Sequence, residues 1–308
     1  MSELTQQSKR RLQSLWHNPV TMKELRSRMR GRRAFVVLTV YLLAMSAFIT
    51  LIYAAYASAA GGPYGPDSRE AGKAVFAGVL TVQGFMVIFV GPSFTVGAIS
   101  GEKERQTYDL LRTTLLSANT LVLGKLVSAL SYVFLLIIAS IPLQSIAFML
   151  GGVAVVELVL SQVIILVAAI TFALWGLYCS SVMRSTQAAS VATFAGTLFM
   201  IAGIPILVFL FALFSSPIMS SMSVSWVGEA ILLYLGLFLA ATNLPATLVV
   251  SEIVLLEEDA LFFFQNTFSG THTLWFPSPW PIFLALYTLL AVLLYWASVR
   301  RVRRIANK

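Results

Sequence analysis

Charge is scarce in this chain. Asp, Glu, Lys and Arg make up 11% of its 308 residues, less than half the ~25% of an ordinary globular domain. Cysteine is scarcer still. Cys179 stands alone in an apolar run, which excludes a disulfide framework and a thiolate metal cluster. With only His17 and His272, a histidine-rich zinc site is excluded too. No phosphate-binding loop is present, since Gly124-Lys125 is followed by Leu126 and lacks the upstream glycine. The nucleophile-elbow and zinc-protease signatures are also missing. The expectation is a chain with no catalytic residue and no metal, unable to hydrolyse ATP itself.

Apolar length is what the chain does have. Residues of the AVILMFWYC set reach 58%, against ~45–50% in soluble domains. That excludes a disordered or nucleic-acid-binding protein despite the net charge of +8. A bilayer core of ~30 Å needs ~20 apolar residues per helix, because each backbone group must find its partner internally. Runs of that kind cover Ala34–Ala57, Ala74–Ile99, Leu121–Leu150, Val155–Val182, Ala188–Phe214 and Pro281–Val299. Lys125, early in the third run, is expected to snorkel to the headgroups. Ala57-Ser58-Ala59 imitates a signal-peptide cleavage site, but the basic leader and the apolar run are both too long for one.

Charge placement sets the orientation. All but two of the 21 Lys and Arg residues fall on one side of a six-span layout, in 1–33, 100–125, Arg184 and 300–308. Only Arg69 and Lys73 fall opposite. Short loops rich in Lys and Arg stay cytoplasmic, so both termini are expected inside a cell membrane. The other side holds Asp67, Glu70, Glu157, Glu229, Glu252, Glu257, Glu258 and Asp259. A crossing by Ile231–Val250 would put that acidic cluster inside and the basic tail outside. The segment about 229–265 is therefore expected to enter the outer leaflet and return, bending at Asn243 and Pro245.

The fold class expected is an all-α membrane protein of six transmembrane helices. It carries a tail and amphipathic elbow over 1–33, a transmembrane region over 34–299 and a basic tail over 300–308. Two cytoplasmic segments carry more than hydropathy. After Asn18-Pro19, Met22, Leu25 and Met29 share one helical face while Lys23, Arg26, Arg30 and Arg33 share another. Such a helix lies in the headgroup plane and binds anionic lipid; a plain topology anchor is the simpler role for the same charges.

The second segment is a helix expected over about 101–116. Ser100 stands at its N-cap and Glu102 and Glu104 in its first turns. Glu102, Arg105, Asp109 and Arg112 form a stripe of alternating charge beside an apolar stripe of Tyr108, Leu111 and Leu115. It reads as a rod that docks in a groove of a soluble partner, or as a merely solvated helix. Gly78, Gly84, Gly91 and Gly97 mark a small-residue stripe in the second run. The mild polar groups Gln83, Ser128, Ser131, Gln144, Ser145, Gln162, Thr171 and Thr193 read as glue between helices or as a substrate path. Phe262–Phe264, Phe268, Trp275, Phe276 and Trp280 read as an interfacial aromatic belt.

Asn18-Pro19-Val20 with Lys23-Glu24-Leu25-Arg26 resembles the elbow of ABC-2 type permeases, the membrane subunits of type V ABC exporters. Gly101-Glu102-Lys103-Glu104-Arg105, then Thr107, Leu110-Leu111, Thr114, Ser117 and Gly124-Lys125, resembles that family's segment after the second span. Gln106 stands where the family often has glycine, and Leu115 where it usually has proline. The resemblance implies that Gly101, Glu102, Lys103, Glu104, Arg105, Thr107, Tyr108 and Leu111 couple the chain to a separate ABC ATP-binding subunit. It implies a second permease subunit, with ATP and Mg held by the partner and no cofactor on this chain. Alternatives are a mechanotransmitting or scaffolding subunit that moves no substrate, and an unrelated six-span carrier. Ionisable groups lie only at span ends, which disfavours proton or sodium coupling.

Overall fold

A computed structural model describes residues 32–59, 68–107, 117–206, 209–210, 213, 226–258, 260–268 and 272–306. Six helices in it are long and apolar enough to cross a membrane. They are α1 (Arg32–Ala59), α2 (Ser68–Thr95), α4 (Ala118–Leu150), α5 (Val155–Val182), α6 (Thr186–Leu198, prolonged by a π-helical turn) and α9 (Pro279–Ala306). Among the described residues, the short helix α3 (Ser100–Glu104) follows α2, and α7 (Trp226–Ala240), α8 (Leu244–Glu258) and strands β1 (Phe263–Phe268) and β2 (His272–Pro277) precede α9. The chain is thus a mostly helical, multi-span protein. Beside its helices, strands β1 and β2 pair as one antiparallel hairpin that the sequence reading did not include.

Helix ends follow local chemistry. Ser117 is extended and its hydroxyl accepts from Thr120 N at 3.2 Å, capping α4. At the other end Gly151 takes φ +81° and ψ 165°, an extended positive-φ conformation that essentially only glycine adopts. Glu157 turns back to accept from Ala154 N at 3.1 Å, closing the first turn of α5.

Two compact units are distinguishable, one of Met1–Val153, Ala169–Phe194 and Ala291–Lys308, the other of Ala154–Ala168 and Ala195–Leu290. In the first, α2 lies against α1 and α4. Val75, Phe76, Val79, Val87, Ala129, Tyr132, Val133 and Leu136 are buried, with Tyr41 and Met45 of α1. Phe94 meets Tyr132 edge-on at 4.7 Å. The opposite faces expose Phe35, Leu43, Leu51, Phe134 and Ile138. Helices apolar all round suit a lipid solvent.

Small and polar residues then decide which faces meet. Gln144 Nε2 donates to Gln83 Oε1 at 2.8 Å between α4 and α2, while Ser131 and Ser145 bond back into their own helix. The glycine stripe of α2 is uneven. A Cβ on Gly78 would strike the Ile52 side chain, yet one on Gly84 would meet nothing within 4 Å. Closer approaches involve Gly72 of α2, where a Cβ would meet Gly151 O, and Gly176 of α5, where it would collide with Thr95 Oγ1 and Pro92.

In the second unit, α7 and α8 are 15 residues each, about 22 Å at 1.5 Å per residue. Neither reaches across a ~30 Å core. They join through a turn at Ala241–Asn243, so the bend falls at Asn243 and Pro245 as expected from sequence. Asn243 Oδ1 accepts from Ala246 N, capping α8. Its amide donates to Met200 O at 3.1 Å and Ile201 O at 2.8 Å. Those carbonyls belong to the π-helical turn Phe199–Gly203. Pro205 has no N–H to offer either of them, and carbonyls withdrawn from water need a donor. Tyr287 Oη donates to Thr242 O at 3.1 Å, tying the same turn to α9.

Candidate functional site

The charged residues of the GEKER motif cluster where α2 ends. Four residues, Val96–Ile99, separate α2 from α3. The hydroxyl expected to cap α3 does not do so. Ser100 is its first residue and its Oγ donates back to Val96 O. Ser180, near the end of α5, does the capping, its Oγ accepting from Ile99 N at 3.0 Å and Ser100 N at 2.9 Å. Two N–H groups with no helical partner are thereby satisfied.

Each charged residue of α3 then reaches a different helix. Glu102 Oε1 and the Lys125 ammonium of α4 lie 2.6 Å apart, and Lys125 also donates to Ala98 O at 2.6 Å. Lys125 is 3% exposed and Glu102 25%. The lysine therefore does not snorkel; a carboxylate and a carbonyl hold it inside. Lys103 Nζ donates to Ser181 O at 2.6 Å and Met183 O at 3.1 Å, carbonyls at the C-terminus of α5. Glu104 accepts from Thr186 N at 2.9 Å and Thr186 Oγ1 at 2.7 Å at the N-terminus of α6. Cation at a C-terminus and anion at an N-terminus is the arrangement that helix dipoles favour. The motif is thus a node joining α2 to α4, α5 and α6.

The expected helix over about 101–116 is interrupted. Gln106 N donates to Lys103 O and Thr107 N to Glu102 O, a Schellman stop with Gln106 at φ +56°. The left-handed residue is the one standing where the resembled family often has glycine. Arg105, Gln106 and Thr107 form the exposed apex of the turn. Of the residues expected to dock a partner, Gly101, Glu102, Lys103, Glu104, Arg105 and Thr107 are together here. Tyr108 and Leu111 lie outside the described residues, as do Asp109, Arg112 and Leu115. Lys23, Arg26 and Arg30 also lie outside them, as does the side chain of Arg33.

Sequence reasoning missed Ser180 and Thr186 and misjudged Lys125. A Ser180-Ser181 pair closing an apolar run was the available signal; a partner 80 residues away was not readable. Among the described residues no cluster of His, Cys, Asp or Glu is arranged to hold a metal. No protein-family model and no curated protein sequence matches this chain.

Proposed function

We propose that the chain is the membrane subunit of an ATP-binding cassette exporter, driven by a separate ATP-hydrolysing subunit that docks at the 98–107 node. It sits in the cell membrane with both termini cytoplasmic, next to a second permease subunit and anionic lipid. One observation carries the reading: α3 is bonded through three charged side chains to three membrane-length helices. A push on its apex is therefore delivered to α4, α5 and α6 together as one rigid displacement. The charge bias across the six runs supports the cytoplasmic side. The ordered GEKER and elbow motifs support the partner's class. A chain with no phosphate loop needs its hydrolysis supplied from outside.

The roles within the motif divide. Glu102, Lys103 and Glu104 position α3, and Arg105, Gln106 and Thr107 meet the partner. Arg105→Glu should leave the purified chain as thermostable as wild type and lower the ATPase stimulation it gives its partner in vesicles about tenfold or more. Unchanged stimulation would count against docking at the apex. A mechanotransmitter without flux is the second reading, favoured by the Gln83–Gln144 bond, which uses span polarity internally. ATP-dependent substrate movement in the same vesicles separates the two.

A further inference from the structure

Strands β1 and β2 alternate two unlike faces. Phe264, Phe268, Leu274 and Phe276 pack with Ala230, Leu233 and Leu237 of α7, and Phe276 is fully buried. The register pairs Phe263 with Pro277 and Gln265 with Trp275, and Thr267 with Thr273 on the opposite face. That face exposes Phe263 (58%) and Trp275 (61%), while Phe262, just before β1, packs on Trp280 at 5.0 Å. Its aromatic half lies at the base of the hairpin and its polar half toward the turn.

We propose that this outer face rests in the headgroup–acyl boundary of the bilayer, with Phe263 and Trp275 as its lipid anchors. The inference rests on the reading that α9 crosses the membrane. Ser278 alone separates β2 from α9. At ~3.3 Å per residue, Trp275 lies about 13 Å from the start of that helix along the strand. A two-stranded sheet leaves two edges of unpaired N–H and C=O groups, which hydrocarbon does not tolerate. Two large exposed aromatics are equally ill-suited to bulk water. The boundary satisfies both, wet for the edges and apolar for the rings.

Two further observations fix the direction. Residues 260–278 contain no Asp, Glu, Lys or Arg, so no ion is dragged toward the acyl chains. The hairpin also lies along α7, with His272 stacked on Trp226 at 4.2 Å and Phe276 against Tyr234 at 4.4 Å. Tyr234 Oη donates to Trp275 O at 2.6 Å. His272 therefore lies beside the start of α7, and Phe276 with the aromatic base beside Tyr234, further along that helix. A one-residue slip in register would exchange the faces, and the buried Phe276 opposes it.

The test places a single cysteine at Trp275, Phe263, Thr267 or Leu289 in a Cys179→Ser background and labels it with an environment-sensitive fluorophore. The full chain is reconstituted in phosphatidylcholine–phosphatidylglycerol vesicles carrying a shallow or a deep spin-labelled lipid. Leu289, 59% exposed on α9, reports the crossing itself. The expected result is at least threefold stronger quenching by shallow lipid at Trp275→Cys and Phe263→Cys than at Thr267→Cys, with iodide showing the reverse order. Leu289→Cys should respond to the deep lipid. Iodide quenching at 275 and 263 equal to that at 267 would overturn the anchor. So would protection from both lipid and iodide, the pattern of a second copy or a protein partner on this face. Failure at Leu289 would instead overturn the crossing of α9, and the anchor with it.

Discussion

Backbone strain and buried charge at the node reside in different residues. Gln106 holds a left-handed backbone at φ +56°, a conformation costing non-glycine residues roughly 1–2 kcal/mol. Gln106→Gly relieves that cost, partly offset by the freer unfolded chain. A gain on the order of 0.5–1 kcal/mol is expected, read as a higher melting temperature in detergent. The Glu102–Lys125 pair behaves differently. Removing one member of a buried pair strands the other, at ~3–5 kcal/mol when both are fully buried. Glu102 keeps a quarter of its surface, so Lys125→Met should cost roughly 2–4 kcal/mol on that scale. Glu102→Gln combined with Lys125→Met should recover much of it, and an additive double-mutant cycle would show that the two do not interact. Reversing Glu102 therefore disrupts the node itself, leaving Arg105 as the clean probe of docking. None of this pairing was legible beforehand, because Lys125 meets a carboxylate 23 residues away on another helix.

Elements were more legible than their contacts. Each of the six long runs recurs as a helix, and the end of α4 at Leu150 and both ends of α5 match the sequence reading to the residue, since length and hydropathy decide them locally. The bend at Asn243 was readable for the same reason. The partner of Asn243 was not, because it depends on a π-helical turn some 40 residues earlier. Asn243→Ala removes two donors from Met200 O and Ile201 O. With ~1 kcal/mol per hydrogen bond and a further cost for carbonyls left buried, a loss of about 2–4 kcal/mol is expected. Hydrogen exchange should open first in α6 and around the α7–α8 turn; protection there equal to wild type would contradict the clamp. The hairpin was missed because its aromatics were weighed as a membrane belt. Two runs rich in aromatic and β-branched residues around Ser269-Gly270 were a strand signal, and the structure buries Phe268 and Phe276 in the α7 cluster.

At the scale of the whole molecule, charge and apolarity divide the labour. Lipid-length helices supply the body, and charge is confined to the ends of the apolar runs and the segments between and beyond them. The 98–107 node is where that charge is converted into fixed geometry between helices. The proposed exporter role stands on the side of the membrane this node faces. The most direct measurement is labelling of Thr107→Cys, exposed at the apex, by a membrane-impermeant thiol reagent, since the native Cys179 is buried. Labelling is expected in inverted vesicles and not in intact cells, with protection when the ATP-hydrolysing subunit is bound. Modification of Thr107→Cys from outside intact cells would contradict the account.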